Sequence, residues 1–243
     1  AITVRLINGF GVPAILTLPI AFLGGALVGI CTGLIHVKLK VRDLLSGIIM
    51  MTGLYTINLW VAGSGYVAIF DKENIFNNSL VNSITPGFLV NFKNVIIIFL
   101  ITMVAKYLLD WYMSTKSGFL LRAVGDNDTI VTSLGVDKGL VKIVGLSIAN
   151  GLVSLSGCIY AQQQRSFEIS IGTGAVVIGL ASVIIGTSLF KKVTFFRVTS
   201  SVVVGSILYK ACVAVAMFAG ISPNAIKLIT AVLFLIILVI SMD

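Results

Sequence analysis

From position 14 to position 35 the chain reads AILTLPIAFLGGALVGICTGLI, an unbroken apolar run with no charged side chain. Coiled as a helix at 1.5 Å per residue, such a run is about 33 Å long, close to the thickness of a bilayer's hydrocarbon core. Six more runs of comparable length follow, at 44–62, 94–112, 139–161, 174–190, 200–219 and 224–240. Lipid offers backbone amides no hydrogen-bond partners, so only helices or a closed barrel can cross it. Barrel strands alternate apolar and polar residues over about half this length. The runs therefore predict an all-α, polytopic transmembrane bundle of about seven spans. Composition agrees, with 58% hydrophobic and 11% charged residues and a mean hydropathy of +1.09.

The net charge of +8 does not form a basic stripe with interleaved aromatics, so nucleic acid is not an expected partner. The cations sit between the apolar runs and alternate in density. Lys38, Lys40, Arg42, Lys116, Arg122, Lys138, Lys142, Lys191, Lys192 and Arg197 fall in three connections, whereas Arg5, Lys72, Lys93 and Arg165 are spread over the others. The positive-inside rule assigns the first group to the cytoplasm. This puts Ala1 outside and Asp243 inside, an odd span count that fits a missing N-terminal span or spans. The absence of an initial methionine and the abrupt stop after LIILVISMD add to the expectation of a fragment.

Within the spans, Gly25, Gly29 and Gly33 recur every four residues and make one smooth helix stripe, suited to close packing either within the bundle or between subunits. Cys31, Cys158 and Cys212 lie in apolar runs without CxxC spacing and read as buried small hydrophobes. A weak parallel repeat of four spans is suggested by Lys38 and Lys192, and by Tyr55 and Tyr209, both separated by 154 positions.

Catalytic signatures are missing. The single histidine, His36, stands at a predicted helix end, and no HExxH, GxSxG or intramembrane acidic pair occurs. No GxxxxGK[ST] loop can cradle ATP, so the chain is not expected to be an enzyme or to hold a cofactor of its own. No carboxylate sits mid-span, and Asp110 lies near a span's inner end, which weakens an ion-driven carrier. Lys210 is a charge about halfway along the 200–219 run; leaving it in hydrocarbon costs at least about 2.5 kcal/mol. It is a candidate for a solute pathway or a snorkelling residue, and Tyr55, Asn58, Asn150 and Tyr209 are pathway candidates or interhelical hydrogen-bonders.

The longest polar interruption, LLRAVGDNDTIVTSLGVDKGL, falls in the predicted cytoplasmic connection 114–138 and its flanks. Asp126 or Asp128 can cap a short amphipathic helix, with Ile130, Val131 and Leu134 on one face and Gly135 as its left-handed stop. A helix this short is marginal alone. Its apolar face must rest on its own bundle, on the lipid interface, or in the groove of a soluble partner.

The stretch GFLLRAVGDNDTIVTSLGVDKGLVKIVGLSIANGLVSLSGCIYAQQQ, followed by GTGAVVIGLASVIIGTSLF, resembles permease subunits of bacterial ABC importers of the branched-chain amino acid and simple-sugar family, closest to tryptophan/tyrosine-type permeases. The resemblance covers most of the chain. It implies a single permease domain over 1–243 in the bacterial cell membrane, working as a homodimer. An extracytoplasmic binding protein would deliver a small solute such as an amino acid, sugar or nucleoside, and a cytoplasmic ATPase subunit would bind and hydrolyse ATP. It also implies that the loop carrying Arg122, Gly125, Asp126, Asn127, Asp128 and Gly135 is the ATPase-coupling segment, with Ile130 and Leu134 on its apolar face. Family permeases carry further N-terminal spans and a basic C-terminal tail, neither of which is present in this sequence. A self-contained carrier or channel is the alternative, and a membrane scaffold a third.

Overall fold

The computed structural model describes residues 1–69, 73–78, 92–190 and 197–218, which belong to two compact units, Ala1–Ile169 and Ser170–Asp243. The first unit holds α1 (Ile2–Phe10), a single 3-10 turn (Ala14–Leu16), α2 (Thr17–Lys38), α3 (Asp43–Ala62) and β1 (Tyr66–Ala68). It continues with α4 (Lys93–Met113), α5 (Lys116–Asp126), α6 (Asp128–Ser133), α7 (Lys138–Gln164) and β2 (Ser166–Glu168). The second unit holds α8 (Ile171–Leu189) and α9 (Val198–Phe218).

Among the described residues five helices are long and apolar enough to cross a membrane: Ala14–Lys38, Leu44–Ala62, Lys93–Met113, Lys138–Gln164 and Val198–Phe218. Each coincides with a run expected from the sequence. The expected span at 174–190 falls in α8, a helix of 19 residues. The one at 224–240 lies outside the described residues. Large apolar side chains such as Leu23, Leu27, Trp60, Phe99 and Trp111 point outward, as they should where lipid replaces water. Pro19 sits in the first turn of α2, where its missing N–H has no helical acceptor to lose. Gly63 ends α3 at φ 83°, a conformation that costs glycine nothing.

The glycine stripe packs within the chain. A Cβ placed on Gly29 would lie 2.6 Å from Ser147 Cα and 2.8 Å from the Leu146 carbonyl carbon, and one on Gly33 would lie 2.9 Å from Ile143 Cα. Gly25 is equally close to Asn150, so partner numbers fall along α7 as they rise along α2, and the two helices run antiparallel. Bulk is exchanged in the other direction too: the Phe22 ring fills the space above Gly151, and Val37 that above Gly139. Ser147 Oγ donates across this seam to Ala26 O at 3.1 Å. Hydrophobicity does not drive helices together in lipid, so this backbone proximity and its dispersion energy hold the pair.

The second unit repeats the device. Gly186 of α8 lies against Ser201 and Val202 of α9, and Gly205 lies against Ser182 and Gly186, again in antiparallel order. Tyr209, 2% exposed, packs on Ala181 and Ile185.

Two features depart from an all-α bundle of spans. Helix α1 is too short to span; it buries Val4 and Ile7 in a cluster with Ile69, Val67 and Phe167. Strands β1 and β2 pair antiparallel, Val67 opposite Phe167, so the fold is mostly rather than wholly helical. Three-residue strands are too short to carry a periodic pattern, which is why the ribbon is silent in the sequence. The cysteines also divide: Cys158 is buried, while Cys31 and Cys212 are exposed on their helices.

Candidate coupling corner and pathway residues

The polar connection after α4 folds into a braced corner. Asp110, 6% exposed in the last turn of α4, pairs with Lys106 at 2.9 Å. Ser114 Oγ donates to Asp110 O at 2.9 Å, and Thr115 Oγ1 donates to Tyr112 O at 2.6 Å. Thr115 Oγ1 also accepts from Gly118 N at 3.3 Å and so caps α5. Gly118 is obligatory in this turn, because a Cβ there would meet Met113 Cα at 2.5 Å.

Helix α5 then leans on α7, with Leu121 over Gly145. It ends at Asp126, and the extended Asn127 separates it from α6. The Asn127 Oδ1 accepts from Thr129 N at 3.1 Å and from the Thr129 hydroxyl, so Asn127 is the cap. The expectation of Asp126 or Asp128 in that role is thereby corrected: both have helical backbones, whereas a cap residue must stand outside the helix. Gly135 provides the expected left-handed stop at φ 75°. Its N–H donates to Thr132 O at 3.0 Å and that of Val136 to Val131 O at 3.3 Å, the paired bonds of a Schellman motif. Asp137 next caps α7, its Oδ1 accepting from Gly139 N at 2.8 Å.

The apolar face of α6 is divided. Val131 is fully buried with Val124 and Val141, flanked by Leu120, Leu121 and Val136. Leu134 is 66% exposed. The two were expected on one face; they part because Leu134 follows the last helical residue, Ser133, and the chain is already turning there. The side chains of Asp128 and Ile130 lie outside the described residues. Arg122, Gly125, Asp126, Asn127 and Gly135 are all exposed around the same corner. The corner is thus anchored inward by one valine and presents a leucine, a cation and polar groups outward.

The pathway candidates are more dispersed. Tyr55 is half exposed on α3, and Asn58, on the same helix, is half-buried. Asn150 on α7 turns its amide back to Leu146 O at 3.0 Å, which satisfies it within its own helix. Tyr209 is in the α8–α9 core, while its neighbour Lys210 is exposed. His36 makes a local bond from Nδ1 to Val41 O, 2.8 Å.

One polar centre went unread in the sequence. Gln162, 1% exposed, donates from Nε2 to Thr17 Oγ1 at 2.9 Å, and its Oε1 accepts from Ile75 N at 3.0 Å. It joins the start of α2, the end of α7 and the 73–78 loop. The available signal was spacing: Ser147, Gly151, Ser154, Cys158 and Gln162 continue the α2-facing stripe of α7 at steps of three and four.

Membrane-length helices sealed by glycine, with a capped and half-anchored corner between two of them, have the build of a polytopic membrane subunit. Residues 1–239 match the family described as branched-chain amino acid transport system / permease component, and the chain belongs to that family. It is 38% identical over 230 residues to a tyrosine transport system permease protein of Clostridioides difficile, spanning 95% of this chain and 73% of that protein. It is 26% identical to the nucleoside ABC transporter permease protein NupC of Lactococcus lactis, over 89% of this chain and 73% of that one. To the ribose import permease protein RbsC of Escherichia coli K12 it is 27% identical, over 74% and 54%. No solved structure matches the chain. The chain is therefore the permease component of an ABC importer, a multi-pass subunit of the bacterial cell membrane, and ATP hydrolysis is not its task.

Proposed function

We propose that this permease passes an aromatic amino acid, tyrosine or a close analogue, from an extracytoplasmic binding protein into the cytoplasm. Two copies enclose the path, and a cytoplasmic ATPase grips each at the corner 114–138. The observation that carries the mechanism is the division of α6, with Val131 buried in the bundle and Leu134 exposed. A lever must be fixed at one end and free at the other. Arg122, Gly125, Asp126, Asn127, Asp128, Ile130, Leu134 and Gly135 form the coupling surface in this reading. Tyr55, Asn58, Asn150, Tyr209 and Lys210 are assigned to the path. The amino-acid preference rests on the 38% identity to a permease named for tyrosine, against 26–27% for those named for nucleoside and ribose.

The 1–243 domain has seven spans in this proposal, with Ala1 outside. Its parallel repeat is supported by helix starts: α2 and α3 begin at Thr17 and Asp43, α8 and α9 at Ile171 and Val198, offsets of 154 and 155. The likeness is one of span order, since α2 pairs with α7 whereas α8 pairs with α9.

Closure of the ATPases displaces the corner, and the α2–α7 pair, too tightly packed to deform, carries the displacement as one body. In proteoliposomes bearing permease, ATPase and binding protein, uptake of labelled L-tyrosine is expected only with ATP inside and all three components present. Equal uptake without ATP would establish a self-contained carrier or channel, and no uptake of any amino acid, nucleoside or sugar under any condition would leave only a scaffold.

A further inference from the structure

We propose that the polar cavity at the junction of α7 and β2 is a carboxylate site, which receives the α-carboxylate of the solute as it enters the permease. The cavity measures about 220 Å³, and among the described residues eight line it, none of them acidic. Two are cationic, Lys93 and Arg165, and five are amides. Its size suits the carboxylate end of a small solute rather than a drug-sized ligand. By the asymmetry of basic residues this junction faces outside, where an imported solute arrives.

The walls are set in advance. Gln162 and Asn74 are 1% and 3% exposed. Asn74 Nδ2 donates to Gln162 O at 3.4 Å, and Asn74 Oδ1 accepts from Phe76 N at 3.0 Å and from Asn77 N at 2.6 Å. Helix α4 opens on the same cavity through Lys93 and Asn94, its first two residues. That terminus has no side-chain cap and no acidic residue in its first turn, so its amides and positive dipole end favour an anion.

Arg165 supplies a cation beside these amides. It adopts φ 52° as the residue that ends α7, a position normally given to glycine or asparagine. Its carbonyl accepts from Ile69 N at 2.8 Å, which fixes the backbone beside β1. Guanidinium is also the group best shaped to hold a carboxylate with two parallel bonds.

This inference rests on the amino-acid reading above, and the experiment separates the two. Full-length permease in lipid nanodiscs, without binding protein, is titrated with L-tyrosine and with L-tyrosinamide, followed by saturation-transfer NMR. Saturable binding of the acid and none of the amide is expected. Arg165→Gln should weaken binding at least about tenfold, the loss of one charge-assisted contact, while Arg165→Lys, which keeps the charge without the planar fork, falls between it and the unaltered protein. Arg165→Gly should raise the thermal midpoint and still lose binding, whereas a merely structural arginine would leave binding untouched. Gln163→Glu, which adds an acid without altering the buried wall, should abolish binding if Arg165→Gln fails to fold. Binding that is unchanged in Arg165→Gln, an amide that binds as well as the acid, or no saturable binding of any amino acid would overturn the site. L-leucine binding in place of L-tyrosine, with the same dependence on Arg165, would keep the site and remove the aromatic solute. ATP-driven L-tyrosine uptake unaffected by Arg165→Gln would keep the function and remove the site.

Discussion

Gly29→Leu will leave little folded permease to purify. The backbone of α7 occupies the space that any side chain on Gly29 would need, and backbone cannot rotate aside as a side-chain tip can. The helices must separate, which loosens the neighbouring contacts at Gly25 and Gly33 and breaks the Ser147–Ala26 hydrogen bond. Overpacking in a well-filled seam costs about 1–3 kcal/mol, and here the upper end or more is expected because three glycines share one stripe. Lipid provides no compensating hydrophobic gain for the displaced helices. Thermal unfolding in detergent measures the effect. Gly53→Leu on α3, where a Cβ meets nothing within 4 Å, is expected to shift stability by less than about 0.5 kcal/mol. Equal behaviour of the two variants would mean that the α2–α7 seam is not the structural spine.

Leu134→Asp is expected to do the reverse: preserve the fold and abolish function. Leu134 is 66% exposed and outside the Val124–Val131–Val141 cluster, so the permease unit keeps its packing. If Leu134 sits in the ATPase groove, the substitution removes about 1.5–3 kcal/mol of apolar burial and puts a carboxylate in its place. The ATPase complex should weaken by at least about tenfold, and ATP-driven uptake should fall with it. Val131→Asp provides the contrast, because it places a charge in the chain's own core and should lower the thermal midpoint of the isolated permease. Normal co-purification and uptake with Leu134→Asp would exclude this corner as the grip.

Five of the seven expected spans were legible because bilayer thickness, not sequence detail, sets their length. The runs 44–62 and 94–112 became Asp43–Ala62 and Lys93–Met113. Gly135 was legible for a similarly strict reason, since a left-handed stop favours glycine. The corner's remaining detail was not. Asp126, Asn127 and Asp128 are all good caps by chemistry, and only the point where α5 ends selects Asn127. Val131 and Leu134 lie 60° apart on an ideal helical wheel, and only the early end of α6 sends one inward and the other outward. Gln162 was hidden among three consecutive glutamines, where membership in the α2-facing stripe, rather than residue type, makes it a buried tie.

If the 114–138 corner is cytoplasmic and is held by the ATPase, cysteine accessibility at position 134 will report both. With Cys31, Cys158 and Cys212 replaced by alanine, Leu134→Cys can be probed with a membrane-impermeant maleimide in right-side-out and inverted vesicles. Labelling is expected in inverted vesicles alone, with protection once the ATPase is bound. Labelling from the outside, or labelling in inverted vesicles that the bound ATPase leaves unchanged, would contradict it.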